Sequence, residues 1–469
     1  MAITRRQFIR RSGLATAGAL LGPGLFANPL VRRAFADLGD RYLVVIFLDG
    51  GNDGLNTVTP VNNGAGSLRS DYENFRFTGG GGLRLTPAAL AGTVVGNDPN
   101  TNAQLALHPG LIGLTQLGSS ANLAVIQGCG YPEYNLSHEE SRLIWQSGNP
   151  LRLPSLSGTG WVGRHLAATY GPSAIPAVCI QDSIAPDFRQ SATSVLAVRR
   201  LEDFGFPWDG YGDDEAVKEA VFNALHAAAS AGSGTQAFIG NAGSATLTST
   251  NSYPELHSNY ETDRAAFSAQ YDAIDRSIAN DLREIAKIVY GVDNGVAGVN
   301  ARFFQLSNGG YDTHSDQGAA TGQHYDLHRE VGDSLKVFYD DLADMGVADK
   351  VVTVVWSEFS RRIEQNGNGT DHGSQGPMFV IGGAVNGGVY GNHPNINETD
   401  LEDDGNTRYR QTADPFRSTD FRDVFGTILK HWLNMTAGQI TSNILIPDTL
   451  PGQYWSVANG INLDMGFLP

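Results

Sequence analysis

Apolar positions along this chain come in short unbroken runs, each closed by glycine and a polar or charged group. The first is Tyr42 to Leu48 (YLVVIFL), which stops at Asp49-Gly50-Gly51. A run of this length, rich in β-branched and aromatic residues, predicts a strand buried on both faces, as in a parallel sheet. Ala121 to Gln127, Ala301 to Leu306, Lys350 to Trp356 and Met378 to Ile381 predict further strands, with Ala177 to Gln181 and Ser194 to Val198 as minor ones. Helices are predicted at about 138–146, Asp213 to Ala231, Tyr260 to Tyr290, Gln323 to Met345 and Asp420 to Leu433. Leu105 to Gly118 predicts a short helix after His108-Pro109, and the Gly-, Thr- and Asn-rich stretch from Ser67 to Gln104 reads as loops. Ser137, with Glu140 three residues on, has the pattern of a capping box, and Thr419 is placed as an N-cap.

Strands separated by helices imply an α/β fold, three-layered α/β/α, with a mainly parallel sheet. Residues 185–299 read as a helical insertion. Neither a repeat nor a Pro-rich linker calls for a second domain, so residues 37–469 are expected to fold as one.

The first 36 residues are of another kind. Thr4-Arg5-Arg6-Gln7-Phe8-Ile9 is a twin-arginine pattern, Gly13 to Ala27 is weakly apolar, and Ala34-Phe35-Ala36 is a small-x-small cleavage site. Together they predict a signal peptide read by the twin-arginine export machinery, and a mature protein in the periplasm or outside the cell. No later stretch has the length of a membrane span. The signal holds six arginines and no acid, so the remainder has 26 basic and 49 acidic residues, a net charge of −23. That excess disfavours nucleic acid as a partner and is compatible with cation binding. Cys129 and Cys179 are the only cysteines. They suffice for one disulfide but not for a thiolate cage, which leaves oxygen and imidazole ligands for any metal.

Candidate chemistry recurs at one kind of place, just beyond the apolar runs. Asp49 and Asp53 follow the first, Ser137 and His138 the second, Asp312 and His314 the third, Glu358 the fourth, and Asp371 and His372 lie in the next loop. In open α/β sheets ligands bind beyond the carboxyl ends of the strands. Carboxylates and imidazoles gathered there are what a divalent cation needs.

The twin-arginine signal, FLDGGNDGLN, NLSHEESRLIWQSG, GGYDTHSDQ, VVWSEFSRR and DHGSQGPMFVIGG together resemble the domain-of-unknown-function 1501 family. That family is similar to the alkaline phosphatase and sulfatase superfamily. The resemblance implies an alkaline-phosphatase-like core with one or two divalent ions (Zn, Ca, Mg or Mn). It implies metal ligation by Asp49, or Asp53 in its place, and by Asp312, His314, Glu358, Asp371 and His372. Phe359 stands where the superfamily has a second-site histidine. Ser137 stands at the nucleophile's position, where it is equally explained as a helix cap, and His138 beside it is either catalytic or a ligand. Arg142, Arg164 and Arg361 are candidates to hold ester oxygens. The expected activity is metal-dependent hydrolysis of a small or polymeric phosphate or sulfate ester. The alternative is a non-catalytic cation-binding protein of the cell envelope or of an extracellular assembly.

Overall fold

The computed structural model describes residues 41–131, 134–170, 175–205, 214–394, 396, 417–448, 455 and 461–469. The twin-arginine segment lies outside the described residues.

The chain is a mixed α/β protein built on one large sheet. Its strands are β1 (Tyr42–Leu48), β2 (Asn122–Gly130), β3 (Ala177–Cys179), β4 (Val195–Ala197), β5 (Phe303–Asn308), β6 (Val351–Trp356), β7 (Gly376–Gly382), β8 (Gly388–Tyr390) and β9 (Thr419–Asp420). Their order across the sheet is β8-β2-β7-β6-β1-β5-β3-β4, with β9 also pairing to β2. β1 is central because all seven of its side chains are buried. Tyr42, Val44, Ile46 and Leu48 face one apolar layer, and Leu43, Val45 and Phe47 face the other. This period-two split between two buried faces is why an unbroken apolar run marks the strand.

Helices cover both faces. α1 (His138–Ser147), α2 (Trp161–Thr169) and α8 (Phe421–Thr427) supply residues to one layer. Of α3 to α7 (Glu215–Ser230, Gly234–Asp263, Ala265–Ile274, Ser277–Asp293 and Gln323–Asp344), α4 to α7 supply residues to the other, and α3 packs against α4. From these, Ile285 and Val289 of α6 and Leu335 and Phe338 of α7 share the buried apolar layer with Tyr42, Val44, Ile46 and Leu48 of β1.

Register aligns the ends of the central strands. Leu48 pairs with Asn308, and Phe47 with Trp356, so β1, β5 and β6 release their following residues at one rim. Among the described residues β7 alone runs against its neighbours β2 and β6. That reversal puts the start of β7 at the same rim: Gly376 pairs with Cys129 near the end of β2. The loop preceding β7, with Asp371 and His372, therefore meets the loops that follow the parallel strands.

Several sequence expectations are corrected. Residues 67–104 are not all loop. They contain helices Leu68–Phe75 and Pro87–Leu90 and strand Val94–Asn97, which forms a small side sheet with Val58–Pro60 and Gln104–Leu107. Their stability comes from tertiary bonds, such as Tyr72 Oη donating to Asn56, which local periodicity does not reveal. Tyr260 to Tyr290 is interrupted rather than one helix: Arg264 and Asp275 separate three, Asp275 adopting a left-handed φ of 52°. Ser137 begins α1 without a side-chain cap bond, so the capping box does not form. Asp420, not Thr419, caps α8 by accepting from the Arg422 amide. Cys129 and Cys179 are both buried and free.

Candidate metal centre

The rim where β1, β2, β5, β6 and β7 meet gathers histidines and acids from five segments. Gly50, at φ +122°, makes this possible, because a Cβ there would lie 2.4 Å from the Asp312 amide nitrogen. The close approach of the 50–51 turn to the 311–312 backbone thus demands glycine.

Asp312 is the focus. Its Oδ1 lies 3.2 Å from His314 Nε2 and 3.3 Å from His372 Nε2, and its Oδ2 lies 3.5 Å from His138 Nε2. One ligand atom each from His138, Asp312 and His372 falls within 4.8 Å of the others. Each imidazole is held from behind through Nδ1. In His372, Nδ1 lies 2.8 Å from the Leu136 carbonyl oxygen. His138 Nδ1 lies 2.8 Å from Glu358 Oε1, and His314 Nδ1 lies 3.2 Å from Asp371 Oδ1. A carbonyl or carboxylate only accepts, so each ring places a proton on Nδ1, and a ring carrying one proton keeps its lone pair on Nε2. His314 Nε2 and His372 Nε2 stand 2.9 Å apart. Two lone pairs at that distance repel unless a cation or proton lies between them. His138 Nε2 is sealed from solvent without a hydrogen-bond partner. His138, Asp312 and His372 are the groups whose ligand atoms come together, with His314 beside Asp312; imidazole plus carboxylate is a donor set that divalent ions such as zinc favour.

Electrostatics follow from these neighbours. The hydrogen bond to Glu358 raises the His138 pKa, against the effect of burial. Burial lowers that of His372. For Asp312 burial acts upward, but the hydrogen bond and charge of Arg361 prevail and hold it below the ordinary carboxylate range. Asp49 is half-exposed at the same rim, its pKa raised by burial and then by the Glu358 charge. Arg142 Nη1 lies 3.8 Å from it.

Other sequence candidates take different positions. Asp53, read as a competing ligand, is fully buried and grips Arg76 through both oxygens, at 2.5 and 2.9 Å, while also accepting from Gln317. Burial would raise its carboxyl, but the Arg76 charge overcomes this and lowers it. Glu358 and Asp371 stand behind histidines rather than among the ligand atoms. Glu358 Oε1 also accepts from the Gly50 amide and Oε2 from Ser357. Phe359 packs against His138 and His372, with ring centroids 4.8 and 4.7 Å away. Arg361 is buried and donates to Gly50, Gly51, Tyr311 and Thr370 carbonyls and to Asp312, so its guanidinium is fully engaged. Arg164 donates to the Ser147, Thr159 and Ile444 carbonyls and to Thr159 Oγ1. Arg142 remains the candidate closest in role to an ester-oxygen clamp. Ser137 is exposed at the start of α1. Arg76 and Gln317 were missed: in sequence they are a lone arginine in a presumed loop and a glutamine at the end of a motif.

The fold and this rim define a mixed α/β protein with a histidine–carboxylate cluster beyond the carboxyl ends of its sheet. The chain belongs to the family described as "Protein of unknown function (DUF1501)", which it matches over residues 93–436. That span includes His138, Asp312, His314, Glu358 and His372 and begins after Asp49 and Asp53. Neither the curated proteins nor the solved structures contain a match.

Proposed function

We propose that the chain is an exported metal-dependent hydrolase of phosphate or sulfate esters, on an alkaline-phosphatase-like core. The observation that carries this reading is the convergence of three Nε2 atoms, each fixed by an acceptor behind Nδ1, on the Asp312 carboxylate. Anchored imidazoles of this kind are how proteins orient metal ligands. His138, Asp312, His314 and His372 would hold the ion. A bound divalent ion supplies a Lewis acid that polarises the ester and makes water or a hydroxyl a better nucleophile near neutral pH.

The chain's own groups supply the rest. Arg142, four residues after His138, is positioned to pair with an anionic ester while Asp49 steadies its guanidinium. The Ser137 hydroxyl, not committed to capping α1, is the candidate nucleophile, with the helix N-terminus supporting the anion it attacks. Glu358 holds the His138 ring in place. Twin-arginine export suits a protein that folds around an ion before crossing the membrane. No helix among the described residues is long and apolar enough to cross one.

The second reading, a non-catalytic cation-binding protein, draws on Phe359, whose ring fills space beside His138 and His372. Elemental analysis of the exported protein, paired with a screen of aryl phosphate and sulfate esters, separates the two. Stoichiometric metal with ester turnover that Asp312→Ala abolishes supports the hydrolase. Metal without turnover supports the second reading, and a protein purified and reconstituted without metal ends both.

A further inference from the structure

Two of the ligand-bearing loops come from distant parts of the chain, 312–314 after β5 and 371–372 before β7. Besides the side-chain contacts of His314 with Asp371 and His372, the Thr370 amide donates to the Thr313 carbonyl at 3.1 Å. Two buried side chains bridge them further: Arg361, which donates to the Thr370 carbonyl and to Asp312, and Gln317. Gln317 Oε1 accepts from Thr313 Oγ1 at 3.0 Å and from Thr370 Oγ1 at 2.7 Å. Each threonine directly precedes a ligand-bearing segment or lies within it: Thr313 sits between Asp312 and His314, and Thr370 stands two residues before His372.

The orientation of that amide is not arbitrary. Gln317 Nε2 donates to Asp53 Oδ2 at 2.7 Å. A carboxylate only accepts, so the amide nitrogen must face Asp53 and the amide oxygen must face the threonines. Asp53 is itself immobilised by Arg76, which also donates to the Ile363 and Arg362 carbonyls. Gln317, Thr313, Thr370 and Asp53 are all buried, with exposures of 0 to 1%. The backbone of Gln317 is pinned as well, its amide donating to Asn368 and its carbonyl accepting from His324.

We propose that Gln317 is the positioning residue of the metal centre: it carries the fixed geometry of the Arg76–Asp53 pair to the loops bearing Asp312, His314 and His372. It acts through Thr313 and Thr370 and is not itself a ligand. The proposal rests on the reading of the cluster as a cation site. Outer partners of metal ligands commonly change affinity by about 10- to 100-fold, which sets the expected scale.

The test measures zinc affinity by competition with a chromophoric chelator and records the visible spectrum of the cobalt-loaded protein. Gln317→Met, close in volume, is expected to weaken zinc binding by about 10- to 100-fold and to shift the cobalt bands. The double variant Thr313→Val/Thr370→Val is expected to do the same, whereas Thr313→Ser/Thr370→Ser, which keeps both hydroxyls, stays close to wild type. The threonine pairs also decide the matter if Gln317→Met fails to fold. Wild-type affinity and spectrum in the valine pair, or in a folded Gln317→Met, overturn the proposal while the cation site stands. Wild-type protein that binds neither zinc nor cobalt overturns the cation site itself.

Discussion

Two trios of histidine in this protein have similar ring spacing and opposite surroundings. At the rim, His372 lies 4.4 Å from His138 and 4.7 Å from His314, centroid to centroid. Beneath it, His108, His324 and His328 stand 4.2 to 5.1 Å apart. The rim rings are partly open to solvent, and two are anchored by carboxylates. The deeper rings are fully buried and have neutral partners: His108 donates to the Ala319 carbonyl, and His324 and His328 lie against Asn52 and Thr57. The carboxylate that acts on His108 and His328, Asp53, is already held by Arg76. Burial drives all three deeper rings toward the neutral form, His108 down to about 4 and the others well below the usual value. Clustering of imidazoles therefore does not make a metal centre. A carboxylate facing the Nε2 atoms, acceptors behind the rings and partial exposure to solvent distinguish the rim.

The largest expected effect breaks the rim trio. His372→Ala should weaken zinc binding by more than about 100-fold, beyond the range for outer partners, whereas His328→Ala should leave metal stoichiometry unchanged. Equal losses in a chelator competition would erase the distinction between the trios.

Acid tests the buried trio. Folded His108 takes up a proton only near pH 4, whereas an unfolded histidine does so near about 6.5. Between those values the unfolded state binds more protons, so stability is full above about pH 6.5 and falls as pH drops toward 4. His108 alone should cost about 3 kcal/mol across that window, with His324 and His328 acting in the same direction. Urea unfolding of chelator-treated protein at pH 7 and pH 4.5 measures it. A stability unchanged over that interval would contradict the buried neutral assignment.

The smallest effect makes the rim resemble the interior. Glu358→Gln keeps an acceptor for His138 Nδ1 but removes the charge, as the deeper histidines have it. Zinc affinity should fall by about 10-fold, read in the same competition assay, and a tighter-binding variant would show that the anchoring charge is dispensable.

Much of the architecture was legible because burial on both faces of a sheet requires continuous apolar runs. β1 coincides with the predicted Tyr42 to Leu48, and β6 begins one residue inside Lys350 to Trp356. Strands weak in that signal, such as Val94–Asn97, and helices rich in Gly, Ser and Thr, such as Gly234–Asp263, were not legible. They are held by contacts made elsewhere in the fold. At the rim, the residue types and their places after apolar runs were visible, which is how the sequence singled out Asp312, His314 and His372, which the fold brings together, alongside Asp53, which it does not.

The sequence by itself thus determined the central strands and the stock of acids and imidazoles at their ends, because both depend on local pattern. Only the tertiary structure decided which acids face the histidines and which stand behind them, and that Asp53 belongs to Arg76. Those assignments depend on what lies opposite each side chain, up to about three hundred residues away, and on the reversed course of β7, which no local periodicity encodes.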